Sequence, residues 1–190
     1  MSAEELHILL VCEDNVCLSP LVAGLLARHA YDSGVALRVA SAGLGDEERP
    51  FDPTIVWILK SRSIAFDRKA SQPLDTNLVD GADLILTMTG QQARDVKTRF
   101  PWACVFAIGH FGKALPARPT TLSTAAWLDS VHHFPDAQAA AEHWDIDDPT
   151  GEPESAYLKL EVRVDHLVRR IVAKLGNSDA TAAEPGPVRK

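Results

Sequence analysis

A three-layer α/β fold, with a central four-stranded parallel sheet flanked by helices, is predicted for this chain by three observations. The first is the opening stretch, where an apolar run (Ile8, Leu9, Leu10, Val11) leads into a polar loop from Cys12 to Ser19. Pro20 then opens an Ala/Leu/Gly-rich segment, so the order reads as buried strand, tight loop and helix, with proline at the first helical position. The second is Ala82 to Met88 (ADLILTM), an almost wholly apolar run of strand length. Such runs belong to strands covered on both faces of a parallel sheet. The third is the alternation of strand-like and helix-like segments along most of the sequence, which is the signature of βαβ units.

Taken in order, the first helix is predicted over roughly Pro20 to Tyr31, and Leu37-Arg38-Val39-Ala40 reads as a second strand ended by a small-residue turn, Ser41-Ala42-Gly43. Pro50-Phe51-Asp52-Pro53 starts a helix: Asp52 caps, Pro53 sits in the first turn, and Ile55, Val56, Ile58 and Leu59 supply the apolar face. Ile64 to Ala70 fits neither period. After Ala82 to Met88, a polar helix is predicted over Gly90 to Arg99 and a further buried strand over Ala103 to Ile108 (ACVFAI). Gly109 to Gly151 reads as loop-rich sequence. From Glu154 to Leu175 the spacing of Leu158, Val162, Leu167, Val168, Ile171 and Val172 predicts a closing amphipathic helix. One domain over residues 1–175 is therefore expected. The remainder, 176–190, has no apolar period and reads as a disordered tail.

Composition excludes several classes. A formal charge of −7 over 190 residues argues against a nucleic-acid or anionic-membrane surface. No apolar run approaches the ~20 residues of a membrane span. The N-terminus (MSAEEL) lacks the basic and apolar regions of a secretory signal. Three cysteines, an odd number, do not suggest a secreted disulfide framework. A soluble, cytoplasmic chain follows, and the oligomeric state leaves no trace in the sequence.

The loop from Cys12 to Ser19 carries the chemistry. A strand end feeding a helix N-terminus gathers backbone N–H groups and the positive end of the helix dipole. Two readings of Cys12 and Cys17 stand side by side: small hydrophobes at a strand end, or a nucleophile at Cys12 whose ionisation the loop amides favour. Ser19 is placed to hydrogen-bond a Cys12 thiolate, and Asn15 tolerates a left-handed backbone that curls the amides inward. Against this, the loop holds Glu13 and Asp14 and no basic residue. The histidines at 132, 133 and 143 match no ligand spacing, so neither a metal nor a cofactor is expected. Cys104 and the four tryptophans read as packing or rim residues.

The chain resembles the low-molecular-weight protein tyrosine phosphatases and their arsenate reductase relatives. Their signature, V-C-x-G-N-x-C-R-S-P, is matched here by Val11-Cys12-Glu13-Asp14-Asn15-Val16-Cys17-Leu18-Ser19-Pro20. Ser41-Ala42-Gly43, Pro50-Phe51-Asp52-Pro53, the strand from Ala82 to Met88 and Asp148-Pro149 match further family segments in the same order. The resemblance implies a nucleophilic Cys12 and a general acid at Asp148, although DPTG is also an ordinary turn. It also exposes departures. Leu18 stands where the family has its phosphate-binding arginine, whose forked donor stabilises the transition state. Asp14 replaces a glycine and puts a carboxylate where a dianion would dock, and like charges raise a cysteine pKa. Gln72 replaces a second arginine, and Thr150 stands where an aromatic residue walls the substrate cleft.

Three functions follow as expectations. The first is a phosphatase-like protein of impaired catalysis that serves as a binding or regulatory module for a phosphoprotein or small anion. The second is an active phosphatase working through a Cys12 phospho-intermediate with Asp148 as acid. The third is a thiol redox protein using Cys12 and Cys17.

Overall fold

The structure, a computed structural model, describes residues 5–66, 69–113, 116–132 and 144–176. Four strands, β1 (Leu6–Cys12), β2 (Leu37–Gly43), β3 (Leu84–Thr87) and β4 (Val105–Ala107), form one parallel sheet in the order β2-β1-β3-β4. Seven helices are described: α1 (Leu18–Asp32), α2 (Pro53–Ser61), α3 (Thr76–Asp80), α4 (Gly90–Arg99), α5 (Ile108–Lys113), α6 (Thr124–His132) and α7 (Glu154–Leu175). The predicted α/β architecture is therefore the observed one.

Strand alternation divides the core. Ile8, Leu10 and Cys12 of β1 pack on one side of the sheet with α1, α2 and α7, while Leu9 and Val11 pack on the other side with residues of α3 and α4. Because side chains alternate at a period of two, Cys12 ends β1 on the side that α1 covers. The loop it opens lies at the carboxyl end of the central strands, where ligands of parallel sheets bind.

The structure corrects the predicted elements in several places: Ile108, read as the end of a strand, opens α5, and α3 was not foreseen. Ser41-Ala42-Gly43 is the end of β2 rather than a turn, held by pairing with Leu10, Val11 and Cys12. The first helix starts at Leu18, two residues before Pro20. The stretch read as loop from Gly109 onward contains α5 and α6. Neither is long enough for a period to stand out: α5 offers only Ile108 and Phe111, and the Trp127, Leu128 and Val131 set of α6 spans little more than one turn, yet Trp127 is buried with its ring edge-on to Phe111 at 5.8 Å. His133, His143 and the tail beyond Gly176 lie outside the described residues. No group of three or more potential metal ligands occurs among the described residues, and no helix there is long and apolar enough to cross a membrane.

Candidate functional site

The loop from Cys12 to Ser19 is built around two of its own side chains. Asn15 has φ 54° and is fully buried, the left-handed conformation that asparagine tolerates better than most residues. Its Nδ2 donates to Ser19 Oγ at 2.8 Å, and its Oδ1 accepts from the Gln72 backbone N–H at 3.1 Å. Ser19 Oγ lies 3.0 Å from Cys12 Sγ. The contacts expected of Asn15 and Ser19 are thus formed.

Neighbouring segments clamp the loop from outside. Leu44 and Gly45 donate backbone N–H groups to the carbonyls of Cys12 and Glu13, each at 3.0 Å, and Asp52 donates its N–H to Val16 at 3.1 Å. Gly43 is required by space: a Cβ there would stand 2.8 Å from the Glu13 carbonyl oxygen and 2.9 Å from the Asp14 carbonyl carbon. Because these are backbone atoms, Gly43→Ala is expected to destabilise the chain by about 1–3 kcal/mol. Urea unfolding measures it, and an unchanged midpoint would show that the loop yields freely.

Asp52 joins the loop to two helices. Its Oδ1 caps α2 by accepting from Thr54 N–H at 2.7 Å, as predicted, and its Oδ2 accepts from the Tyr157 hydroxyl of α7 at 2.9 Å. Burial, reinforced by this hydrogen bond to the carboxylate, pushes the Tyr157 phenol up to about 12. Nothing in the sequence flagged Tyr157, which is an ordinary member of an amphipathic helix there.

Burial and nearby carboxylates set the electrostatics of the loop. Burial pushes the Cys12 thiol up, and the Asp148 carboxylate adds to the rise; the hydrogen bonds from Ser19 and Asn15 oppose it without reversing it. Cys17 is raised as well, by burial first and then by the charges of Asp148 and Asp52. Both cysteines are free thiols. Leu18, where the family arginine is expected, is only 3% exposed and packs in the core on the α1 side. Its side chain reinforces the fold and offers the loop no donor.

Asp14 gains a partner that the sequence did not show. The sequence reading put its carboxylate at an anion's docking place. In the structure it pairs with Arg49 (Oδ2 to Nη1, 3.1 Å), which also lies 3.8 Å from Glu47. A cation absent from the loop's own sequence thus arrives from the β2–α2 connection, and Asp14 holds it. Asp148 accepts at one oxygen from both the backbone N–H of Thr150 (2.9 Å) and its hydroxyl (2.6 Å). Gln72, in place of the second arginine, donates its side-chain amide to the Ser41 carbonyl at 2.9 Å. Glu13 is exposed and Val16 half-buried.

The parallel sheet thus delivers a buried cysteine to a loop that curls through a left-handed asparagine and back to a serine. The family model for low molecular weight phosphotyrosine protein phosphatases matches residues 7–115, and the chain belongs to that family. Two proteins of Ralstonia described as probable low molecular weight protein-tyrosine-phosphatases EpsP are similar to it. The one from Ralstonia solanacearum is 40% identical over 105 residues, 54% of this chain and 70% of that protein. The one from Ralstonia nicotianae is 34% identical over 136 residues, 68% of this chain and 91% of that protein. Among solved structures, the YwlE arginine phosphatase of Geobacillus stearothermophilus superposes with a TM-score of 0.68 at 25% identity, covering 90% of this chain and 92% of that one.

Proposed function

We propose that this chain is a catalytically impaired member of its family that uses the retained loop as a binding or regulatory module. The observation that carries this reading is the fate of position 18, where a core-packed leucine replaces a charged fork. Two others support it. Burial and then the Asp148 charge push the Cys12 thiol up, away from the thiolate that is the nucleophile. Arg49, which reaches Asp14 from outside the loop, is already ion-paired there. Losing one neutral transition-state donor costs on the order of 10²–10³ in rate, and a charged, bidentate one is stronger. The helix dipole of α1, worth at most ~2 kcal/mol, does not replace it.

The runner-up is an active phosphatase, favoured by the intact Cys12–Asn15–Ser19 geometry and by the activities named for the relatives. In it Cys12 would attack phosphorus and Asp148 would protonate the leaving group. Hydrolysis of p-nitrophenyl phosphate separates the two. Under the impaired reading, wild type and Cys12→Ser are expected to give the same background rate. Wild-type turnover that Cys12→Ser abolishes would overturn that reading.

A further inference from the structure

Beside the loop, beyond Asp52 and Tyr157, an open groove of about 550 Å³ runs between α2 and the start of α7. Pro53, Thr54 and Trp57 line it from α2; Gly151, Glu152, Glu154 and Tyr157 line it from the other side. Trp57 is 55% exposed, a large aromatic face turned toward solvent. The segment leading into the groove, residues 145–154, carries five carboxylates (Asp145, Asp147, Asp148, Glu152 and Glu154) and no lysine or arginine. Asp145 is engaged by the Gly90 backbone N–H and Asp148 by Thr150. Asp147, Glu152 and Glu154 form no ion pair among the described residues. Glu154, in the first turn of α7, is favoured there by the helix dipole. Glu152 and Asp147 precede the helix and gain nothing comparable from it.

We infer that this groove docks a cationic peptide segment, with an arginine or lysine side chain laid on the Trp57 ring and paired to Glu152 and Glu154. An exposed tryptophan is the best cation–π acceptor among side chains, and unpaired carboxylates at its side supply the complementary charge. Tryptophan is also enriched among the residues that dominate interface energetics. The inference holds whether or not the loop turns over a phosphate ester, because no groove residue named for it is Cys12, Leu18 or Asp148.

Fluorescence anisotropy of a fluorescein-labelled Gly-Arg-Gly-Arg-Gly peptide with the full chain tests it. Binding is expected to weaken at least tenfold in Glu152→Gln/Glu154→Gln and at least fivefold in Trp57→Ala. It should stay within twofold in Asp46→Asn/Glu48→Gln, which removes the same two charges from another exposed stretch. All these positions are exposed, and circular dichroism confirms that each variant is folded. No binding by wild type, equal loss in the two double variants, or full affinity in Trp57→Ala would each overturn the inference.

Discussion

Leu18→Arg combined with Asp14→Gly is expected to raise p-nitrophenyl phosphate turnover by about 10²-fold or more over the wild-type chain. The scaffold for that gain is present. Cys12 Sγ already lies 3.0 Å from Ser19 Oγ, and Asn15 already holds the left-handed turn. An arginine at position 18 supplies the missing fork, and its charge also favours the Cys12 thiolate. Removing Asp14 withdraws a negative charge and releases Arg49 from its partner. The guanidinium cannot rest where Leu18 rests now, because an unpaired charge in the core costs several kcal/mol. It is therefore driven toward the loop and solvent. Leu18→Arg alone should gain less than the double variant, since Asp14 would compete for the new cation. A folded double variant with no gain would show that Thr150 and Gln72 have carried the site beyond repair at two positions, and the proposed reason for impairment would fail.

A second large effect lies far from the loop. Asp165→Ala is expected to destabilise the chain by about 2–3 kcal/mol. Asp165 is 8% exposed on α7. One oxygen accepts from His29 of α1 at 2.8 Å and from Arg62, which caps the end of α2, at 3.0 Å; the other accepts from Arg169 at 2.8 Å. Arg62 is also paired with the buried Glu161. One carboxylate thus ties three helices on the α1 side of the sheet. Removing one member of a buried charged pair typically costs 3–5 kcal/mol, and the partial exposure of Arg62 and Arg169 reduces the figure. Urea unfolding at pH 7 measures it, and a loss under about 0.5 kcal/mol would show that the cluster acts as a solvated surface pair.

The same residue sets an acid limit. Burial works against its charge, but the His29 and Arg169 hydrogen bonds outweigh it and hold the carboxyl down to about 2, against its ordinary 3.8. The folded value lies below the unfolded one, so the stabilisation is complete above about pH 4 and disappears as pH falls toward 2. The shift corresponds to about 2 kcal/mol. Wild type should lose this increment between pH 4 and 2, whereas Asp165→Ala should show a flatter profile there.

The fold was legible because its signals are local. The apolar runs at Ile8–Val11 and Ala82–Met88, and the cap and proline at Asp52-Pro53, depend only on neighbours in sequence. α5 and α6 escaped because helices of 6 and 9 residues carry too short a run for a period to stand out; packing holds them, as Trp127 is held against Phe111. The loop's shape was legible too, since Asn15 and Ser19 act on residues within a few positions of themselves. Its electrostatics were legible only in part. That a leucine stands at position 18 is read directly from the sequence, whereas the pairing of Asp14 with Arg49 joins residues 35 positions apart.

What the sequence alone determined, then, is the sheet, the loop, its family and the leucine at position 18. The tertiary structure alone decided where the charges go. It brought Arg49 to Asp14, Tyr157 to Asp52, the cation cluster to Asp165, and Trp57 to the edge of an acidic groove. The reason is physical: periodicity and capping are encoded between near neighbours, but a charge's partner is chosen by the packing of helices distant in sequence, and burial fixes how strongly that partner counts.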